Sequence, residues 1–299
     1  MSSWRDFAVA AALGVMSVAA LPGSAAARPA IWSQPQAPFR IVGDIYYVGS
    51  KGLAAYLLVS PQGDILLDGT LPENAPMIER NIAALGFRIR DIRILLNSHA
   101  HYDHAGGLTR LKADSGAVMM ASDGDRWALE HGASRGDNTA SIPGYPKVQV
   151  DQTVADGQTV RLGPLAMTAL LTPGHTPGCT TWITEVAEQG RRLNVVFPSC
   201  FTVAGNVLIG NQAYPRIAAD YRSSFNRLGA LKADVVLPAH PEFADLLRRQ
   251  ARAKAGDTAA FIDAGQLPRL VAASKADFEK ALAAQAAKTP GNASLGPQP

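Results

Sequence analysis

This sequence is short of the residues that most often do metal and redox chemistry: six histidines and two cysteines in 299 residues. It is also short of clustered charge. Lysine and arginine total 28 against 25 acidic residues, a formal net charge of +3. They are scattered apart from pairs such as Arg191-Arg192 and Arg248-Arg249, so no basic face exists to carry a nucleic-acid footprint. Repeats of short period are missing. One N-terminal apolar run stands out, over residues 7–21. At about 15 residues it is shorter than the roughly 20 needed to span a bilayer. Arg5 precedes the run, Pro22-Gly23 breaks it, and Ala25-Ala26-Ala27 offers small residues before Arg28. That is the layout of a cleaved secretory signal peptide over 1–27. No cysteine follows the small residues, which argues against a lipid anchor. The expected mature chain is a single domain over 28–299, off the membrane once processed. Its hydrophobic content of 47% is enough for a sizeable core.

What is present is concentrated. Asn97-Ser98-His99-Ala100-His101-Tyr102-Asp103-His104-Ala105-Gly106-Gly107 places four metal-capable side chains within six residues. They directly follow the apolar run 92–96, which reads as a buried strand. Along an extended backbone side chains alternate in direction. His99 and His101 can therefore serve one ion, and Asp103 and His104 another. His175 lies in Thr172-Pro173-Gly174-His175-Thr176-Pro177-Gly178 and His240 in Pro238-Ala239-His240-Pro241. Both sit on stiff loops at predicted strand ends. His131, at a helix end, reads as a capping or surface residue.

The rest reads as two β-meanders, each followed by helices. The first takes in 39–48, 54–60 and 65–67. A helix over 75–85, the strand 92–96, a short helix over 108–113, a strand over 117–121 and a helix to about 130 follow. Residues 131–147, rich in Gly, Ser, Asn and Pro, read as a mobile loop rimming a cleft. The second meander takes in 148–150, 159–162, 165–171, 180–186 and 193–197. Helices at 214–231, 243–253 and 267–287 and a strand at 234–237 complete the pattern, and the last ten residues read as frayed. Two sheets face to face with helices outside form an α/β fold, a four-layer αβ/βα sandwich.

Three neutral imidazoles suit Zn²⁺ and leave a fourth tetrahedral position for water. A carboxylate with two imidazoles makes a second such site. Two ions sharing one oxygen lower its pKa towards neutrality and supply hydroxide in place, so the residues point to metal-assisted hydrolysis.

The motifs H-x-H-x-D-H, P-G-H-T-P-G and a late P-A-H together resemble the metallo-β-lactamase superfamily over nearly the whole mature chain. Thioesterases of the glyoxalase II type and lactonases in that superfamily usually carry a bridging aspartate where this chain has Phe197-Pro198-Ser199-Cys200. The missing carboxylate, with His104, is similar to subclass B3 β-lactamases. The resemblance implies two Zn²⁺ per chain, one on His99, His101 and His175, the other on Asp103, His104 and His240. Asp103 would also orient the nucleophile as the catalytic carboxylate. Thr202 and Ser199 would hydrogen-bond a substrate carboxylate, and Asn206 would assist the oxyanion. The resemblance further implies a periplasmic monomer whose partner is a small-molecule β-lactam. No Ser-x-x-Lys motif occurs, so no serine acyl-enzyme is expected. The alternatives are a lactone or thioester hydrolase of the same fold and a non-catalytic zinc-binding protein.

The family's usual cysteine lies one position before the place aligned with Cys200. Three readings stay open for Cys200: an additional ligand of the second zinc, a disulfide with Cys179, or neither. The one-residue shift along a strand would turn the side chain to the opposite face. The expectation is that Cys200 faces the zinc cavity.

Overall fold

The computed structural model describes residues 28–288. The expected signal peptide over 1–27 and the last ten residues, expected to be frayed, lie outside them. Strands β1 (Phe39–Val42), β2 (Ile45–Tyr47), β3 (Tyr56–Leu58) and β4 (Asp64–Leu67) form an antiparallel meander. The chain then changes to crossover connections through α1 (Ala75–Ala84), β5 (Ile92–Leu96), α2 (Tyr102–Ala105), α3 (Leu108–Ser115), β6 (Val118–Ser122), α4 (Asp123–His131) and β7 (Gln152–Val154). Strands β4 to β7 are parallel, and the seven strands lie in sequence order. The second sheet has β8 (Thr159–Leu162), β9 (Leu165–Leu171), β10 (Thr180–Glu188) and β11 (Arg191–Phe197) as an antiparallel meander. Beyond α5 (Ile217–Gly229), β12 (Val235–Val236) joins β11 in parallel, and α6 (Leu246–Lys254) and α7 (Gln266–Ala286) follow.

Period-2 alternation divides the apolar side chains among three layers of packing. On β3 and β4, Tyr56, Leu58, Ile65 and Leu67 face the space between the sheets, where they meet Met167, Trp182, Val195 and Phe197. Leu57 and Leu66 point the other way, against Ile78 and Ile82 of α1 and Leu108 and Leu111 of α3. Val196 points away from the inter-sheet core and packs with Tyr221 and Phe225 of α5 and Phe278 of α7. Helix, sheet, sheet, helix is the expected four-layer order. Two buried polar bonds lock the sheets together where the site forms. Trp182 Nε1 donates to the Asn97 carbonyl at 3.0 Å, and Tyr56 Oη donates to the Pro238 carbonyl at 2.7 Å.

Several boundaries differ from the sequence reading. The stretch 39–48 is a hairpin broken at Gly43, whose φ is +50°. Residues 148–150 are not a strand; Val148 and Val150 are buried against the α3–α4 layer, and the strand lies four residues on. The helix expected over 243–253 is a 3₁₀ turn, Pro241–Ala244, and then α6. Asp245 between them is left-handed, with φ +50°. An unexpected 3₁₀ turn, Ala30–Ser33, precedes β1.

Candidate metal centre

The three histidine loops leave the C-terminal ends of β5, β9 and β12. Residues 97–101 form an irregular, bent stretch after β5, so His99 and His101 come from one loop before α2 begins at Tyr102. His101 Nδ1 lies 2.9 Å from His175 Nε2, and the His99 ring centroid is 5.1 Å from that of His101 and 4.9 Å from that of His175. Asp103 and His104 occupy the first turn of α2. His104 Nε2 is 3.2 Å from Asp103 Oδ2 and 3.2 Å from His240 Nε2. Within each triad, His99–His101–His175 and Asp103–His104–His240, the ligand atoms lie within 4.8 Å of one another. The triads adjoin, with the His99 and His104 rings 4.1 Å apart. All six residues are buried except His240, which is half-buried.

The donor set fits cations. His99 Nε2 is fully buried and has no hydrogen-bond partner, a costly arrangement unless something else occupies its lone pair. His175 Nδ1–H donates to the Thr202 carbonyl at 2.8 Å, which fixes the tautomer and leaves the Nε2 lone pair facing His101. Burial, reinforced by neighbouring imidazoles, holds His99 and His101 well below the usual histidine range. Burial likewise brings His175 down to about 4. The first triad is therefore neutral and ready to ligate at pH 7. The second is charged. Burial opposes ionisation of both Asp103 and His104, but their mutual attraction wins. With no cation present, Asp103 is held well below the carboxylate range and His104 is raised to about 10. Behind His104, Asp68 Oδ2 lies 3.7 Å from Nδ1. Asp68 is fixed by Asn97 Nδ2 at 2.9 Å, the Ser98 N–H at 2.7 Å and Ser98 Oγ at 2.6 Å. Asp68 thus puts a carboxylate behind the His104 imidazole, beyond hydrogen-bond distance of an Nδ1 that has no other partner. The sequence carries no signal for Asp68, which directly follows β4.

Both triads open into a cavity of about 700 Å³. Trp32, Tyr102, Phe201 and Phe243 form much of its wall, and residues 138–143 line it as well. Trp32 belongs to the unexpected N-terminal turn and packs on His240, with ring centroids 5.5 Å apart. Of residues 131–147 only 138–143 line the cleft, and that part is tied down. The Thr139 N–H donates to the Gly205 carbonyl at 2.8 Å, and Asn138 Nδ2 donates to the Ala204 carbonyl at 3.0 Å and to Asn206 Oδ1 at 3.1 Å.

Two sequence readings are corrected. Cys200 is bonded to Cys179 in a disulfide, so it has no thiolate to offer a metal. It lines the cavity wall, but the alternation argument fails because β11 ends at Phe197 and Cys200 is left-handed, with φ +65°. That turn sends its sulfur to the loop after His175. Asn206 does not line the cavity. Its amide donates to the His175 carbonyl at 3.0 Å and to Tyr221 Oη at 3.3 Å, and its oxygen accepts from Asn138. It braces the His175 loop and has no hydrogen left for an oxyanion. Thr202 and Ser199 both line the cavity. The Ser199 hydroxyl donates to the Ser98 carbonyl at 3.2 Å and lies 3.4 Å from His99 Nδ1. His131 is outside the site, stacked on Trp127 with centroids 4.4 Å apart.

The fold and motifs agree with comparison to known proteins. The sequence profile of the metallo-beta-lactamase superfamily matches residues 52–240. The crystal structure of BJP-1, a subclass B3 metallo-beta-lactamase of Bradyrhizobium japonicum, is 40% identical with a TM-score of 0.83, over 86% of this chain and 98% of that one. A metallo-beta-lactamase from Cronobacter sakazakii is 42% identical with a TM-score of 0.82, over 86% and 98% of the two chains. A hydroxyacylglutathione hydrolase of Bradyrhizobium is 32% identical over 121 residues, 40% of this chain and 39% of its own length. The hydroxyacylglutathione hydrolases are thus matched over well under half their length, whereas the solved relatives are spanned almost whole. This chain belongs to the metallo-beta-lactamase superfamily, and it aligns nearly end to end with subclass B3 members.

Proposed function

We propose that this protein is a periplasmic, zinc-dependent β-lactamase that hydrolyses the lactam amide bond, with the first zinc on His99, His101 and His175 and the second on Asp103, His104 and His240. The observation that carries the reading is the pair of adjoining triads at the floor of one cavity, in a chain that matches solved subclass B3 enzymes almost end to end. Zinc held there would supply a Lewis acid for a carbonyl oxygen and a nucleophile drawn from water near neutral pH.

The chain's own residues do the rest. His175 is presented in one tautomer by Thr202, and His104 is backed by Asp68. Asp103, kept ionised by His104 and His240, would orient the nucleophile as well as hold the second ion. Thr202 and Ser199 stand on the wall where a substrate carboxylate would lie. Trp32, Tyr102, Phe201 and Phe243 exclude water from the apolar part of the substrate. A thioesterase reading draws on the hydroxyacylglutathione hydrolase relatives. The segment Phe197-Pro198-Ser199-Cys200 offers no carboxylate to the centre, which favours the lactamase. The proposal includes export by the segment 1–27 and action as a monomer; among the described residues no helix is long and apolar enough to cross a membrane.

The test is hydrolysis of a penicillin, a cephalosporin and a carbapenem beside an acyl lactone and a thioester. Lactam turnover that disappears with a chelator and returns with Zn²⁺ is expected. Full lactam turnover by protein verified to be metal-free, or turnover confined to the thioester or lactone, would end the reading.

A further inference from the structure

Asp125 is 1% exposed, and none of the groups that hold its carboxylate is a cation. It lies in the first turn of α4, outside both triads, and its two oxygens accept three hydrogen bonds. Oδ2 takes the Ala100 N–H at 2.9 Å and the Thr176 hydroxyl at 2.8 Å. Oδ1 takes the Gly178 N–H at 2.9 Å. Ala100 is the residue between His99 and His101, and Thr176 follows His175. One carboxylate therefore joins the two loops that supply the first triad.

The surroundings leave these loops little slack. The Ala100 peptide is held on its other side as well, since its carbonyl accepts from Tyr145 Oη at 2.8 Å. Ser122 Oγ, at the N-cap of α4, donates to the Gly178 carbonyl. A Cβ on Gly124 would meet the Pro177 carbonyl oxygen at 2.6 Å, and one on Gly178 would run into Asp125 and Ser122. The helix end and the His175 loop touch backbone to backbone. An ionised carboxylate, with two oxygens that accept and never donate, satisfies all three donors without adding one of its own. Such charge-assisted bonds are roughly twice as strong as neutral ones. The cost is visible, since burial pushes the Asp125 carboxyl up to about 6 against those bonds.

We infer that Asp125 is a positioning residue for the first metal, fixing the separation of the His99–His101 loop and the His175 loop so that three imidazole lone pairs converge. The inference rests on the reading of the triads as zinc sites. A carboxylate that served only to stabilise the fold would act on loaded and unloaded protein alike. One that sets ligand geometry changes the affinity of one metal site.

The experiment compares wild type with Asp125→Asn, which keeps the shape but places an N–H against an N–H or a hydroxyl donor. Zinc affinities are measured by competition with a chromophoric chelator, and the visible spectrum of the cobalt(II)-loaded protein reports ligand geometry. Loss of outer-sphere partners typically weakens metal binding about 10- to 100-fold. A loss of that size is expected at one site only, with an altered cobalt spectrum. Thr176→Val removes a single donor and leaves the two backbone bonds. It is expected to weaken the same site less, and it serves as the test if Asp125→Asn does not fold. Wild-type affinities and spectrum in the variants, even with a lower melting temperature, would overturn the inference. Wild-type protein that binds no zinc would remove the metal reading itself, and this inference with it.

Discussion

A single residue shows how burial and ionisation compete in this protein. Asp125 has no cationic partner, and its carboxyl titrates at about 6 in the fold against about 4 in an unfolded chain. The folded state then binds the proton more tightly. This group's contribution to stability is present in full below about pH 4 and is lost as pH rises to about 6. Each tenfold difference in proton affinity is worth about 1.4 kcal/mol, so the whole contribution is of order 3 kcal/mol. Stability measured by urea unfolding from pH 4 to pH 7 is expected to fall more steeply in wild type than in Asp125→Asn. The difference between the two curves should level off above about pH 6. Parallel curves across that window would show that Asp125 is ionised in the folded state throughout. Both proteins are unfolded in chelator, so that the metal ligands, which also titrate in this range, are free in each and cancel in the difference.

At the level of elements, the strap 131–147 shows how a polar loop becomes a wall. It meets the segment after β11 through Asn138 and Thr139, which pair with Ala204, Gly205 and Asn206. Gly205 has φ +80°, and a Cβ there would lie 2.8 Å from Asn138 Oδ1 and 2.9 Å from Thr139 Oγ1. Gly205→Ala adds a left-handed cost of about 1–2 kcal/mol and crowds the two side chains that hold the strap. A strap held less often presents its rim to substrate less often. KM is therefore expected to rise up to about tenfold with kcat changed little, and steady-state kinetics on a lactam separates the two. An equal fall in kcat and kcat/KM would mean that the strap acts on the chemical step instead.

The same scale shows what the sequence could tell. The six triad residues were legible because rare histidines stood at strand ends framed by Pro and Gly, and a short-range motif survives any error in element boundaries. Asp68 and Asp125 were not, since a carboxylate after a strand or in a first helical turn reads as ordinary solvated chemistry. Only the fold shows that Asp68 lies behind His104 and Asp125 beneath Ala100. Val148 and Val150 alternate like a strand but are buried without one. The Ala30–Ser33 turn carries no periodicity, and its meaning comes from Trp32 touching His240, more than 200 residues away. Cys200 was misjudged on one torsion angle, which no local pattern encodes.

On the scale of the molecule, each triad is shared by the two sheets. His99, His101, Asp103 and His104 leave β5 of the first sheet, whereas His175 follows β9 and His240 follows β12 of the second. Any ion bound by a triad bridges the sandwich, across the same seam that Tyr56 and Trp182 close with bonds to Pro238 and Asn97. Binding to the folded state alone stabilises it by about 2.7 kcal/mol for each ion at a hundred times its dissociation constant. For a domain somewhat smaller than this one, each kcal/mol moves the melting temperature by roughly 2–4 °C. Chelation is therefore expected to lower the melting temperature by about 5–10 °C for each ion removed, in one transition, because neither sheet keeps a complete site alone. His175→Ala and His240→Ala each remove the second sheet's contribution to one triad. Each is expected to lose about half of the zinc-dependent increment while melting like wild type in chelator. A melting temperature that ignores zinc in wild type would show that the triads do not bridge the sheets through metal. A full increment retained in both single variants would show that ligands from the first sheet suffice.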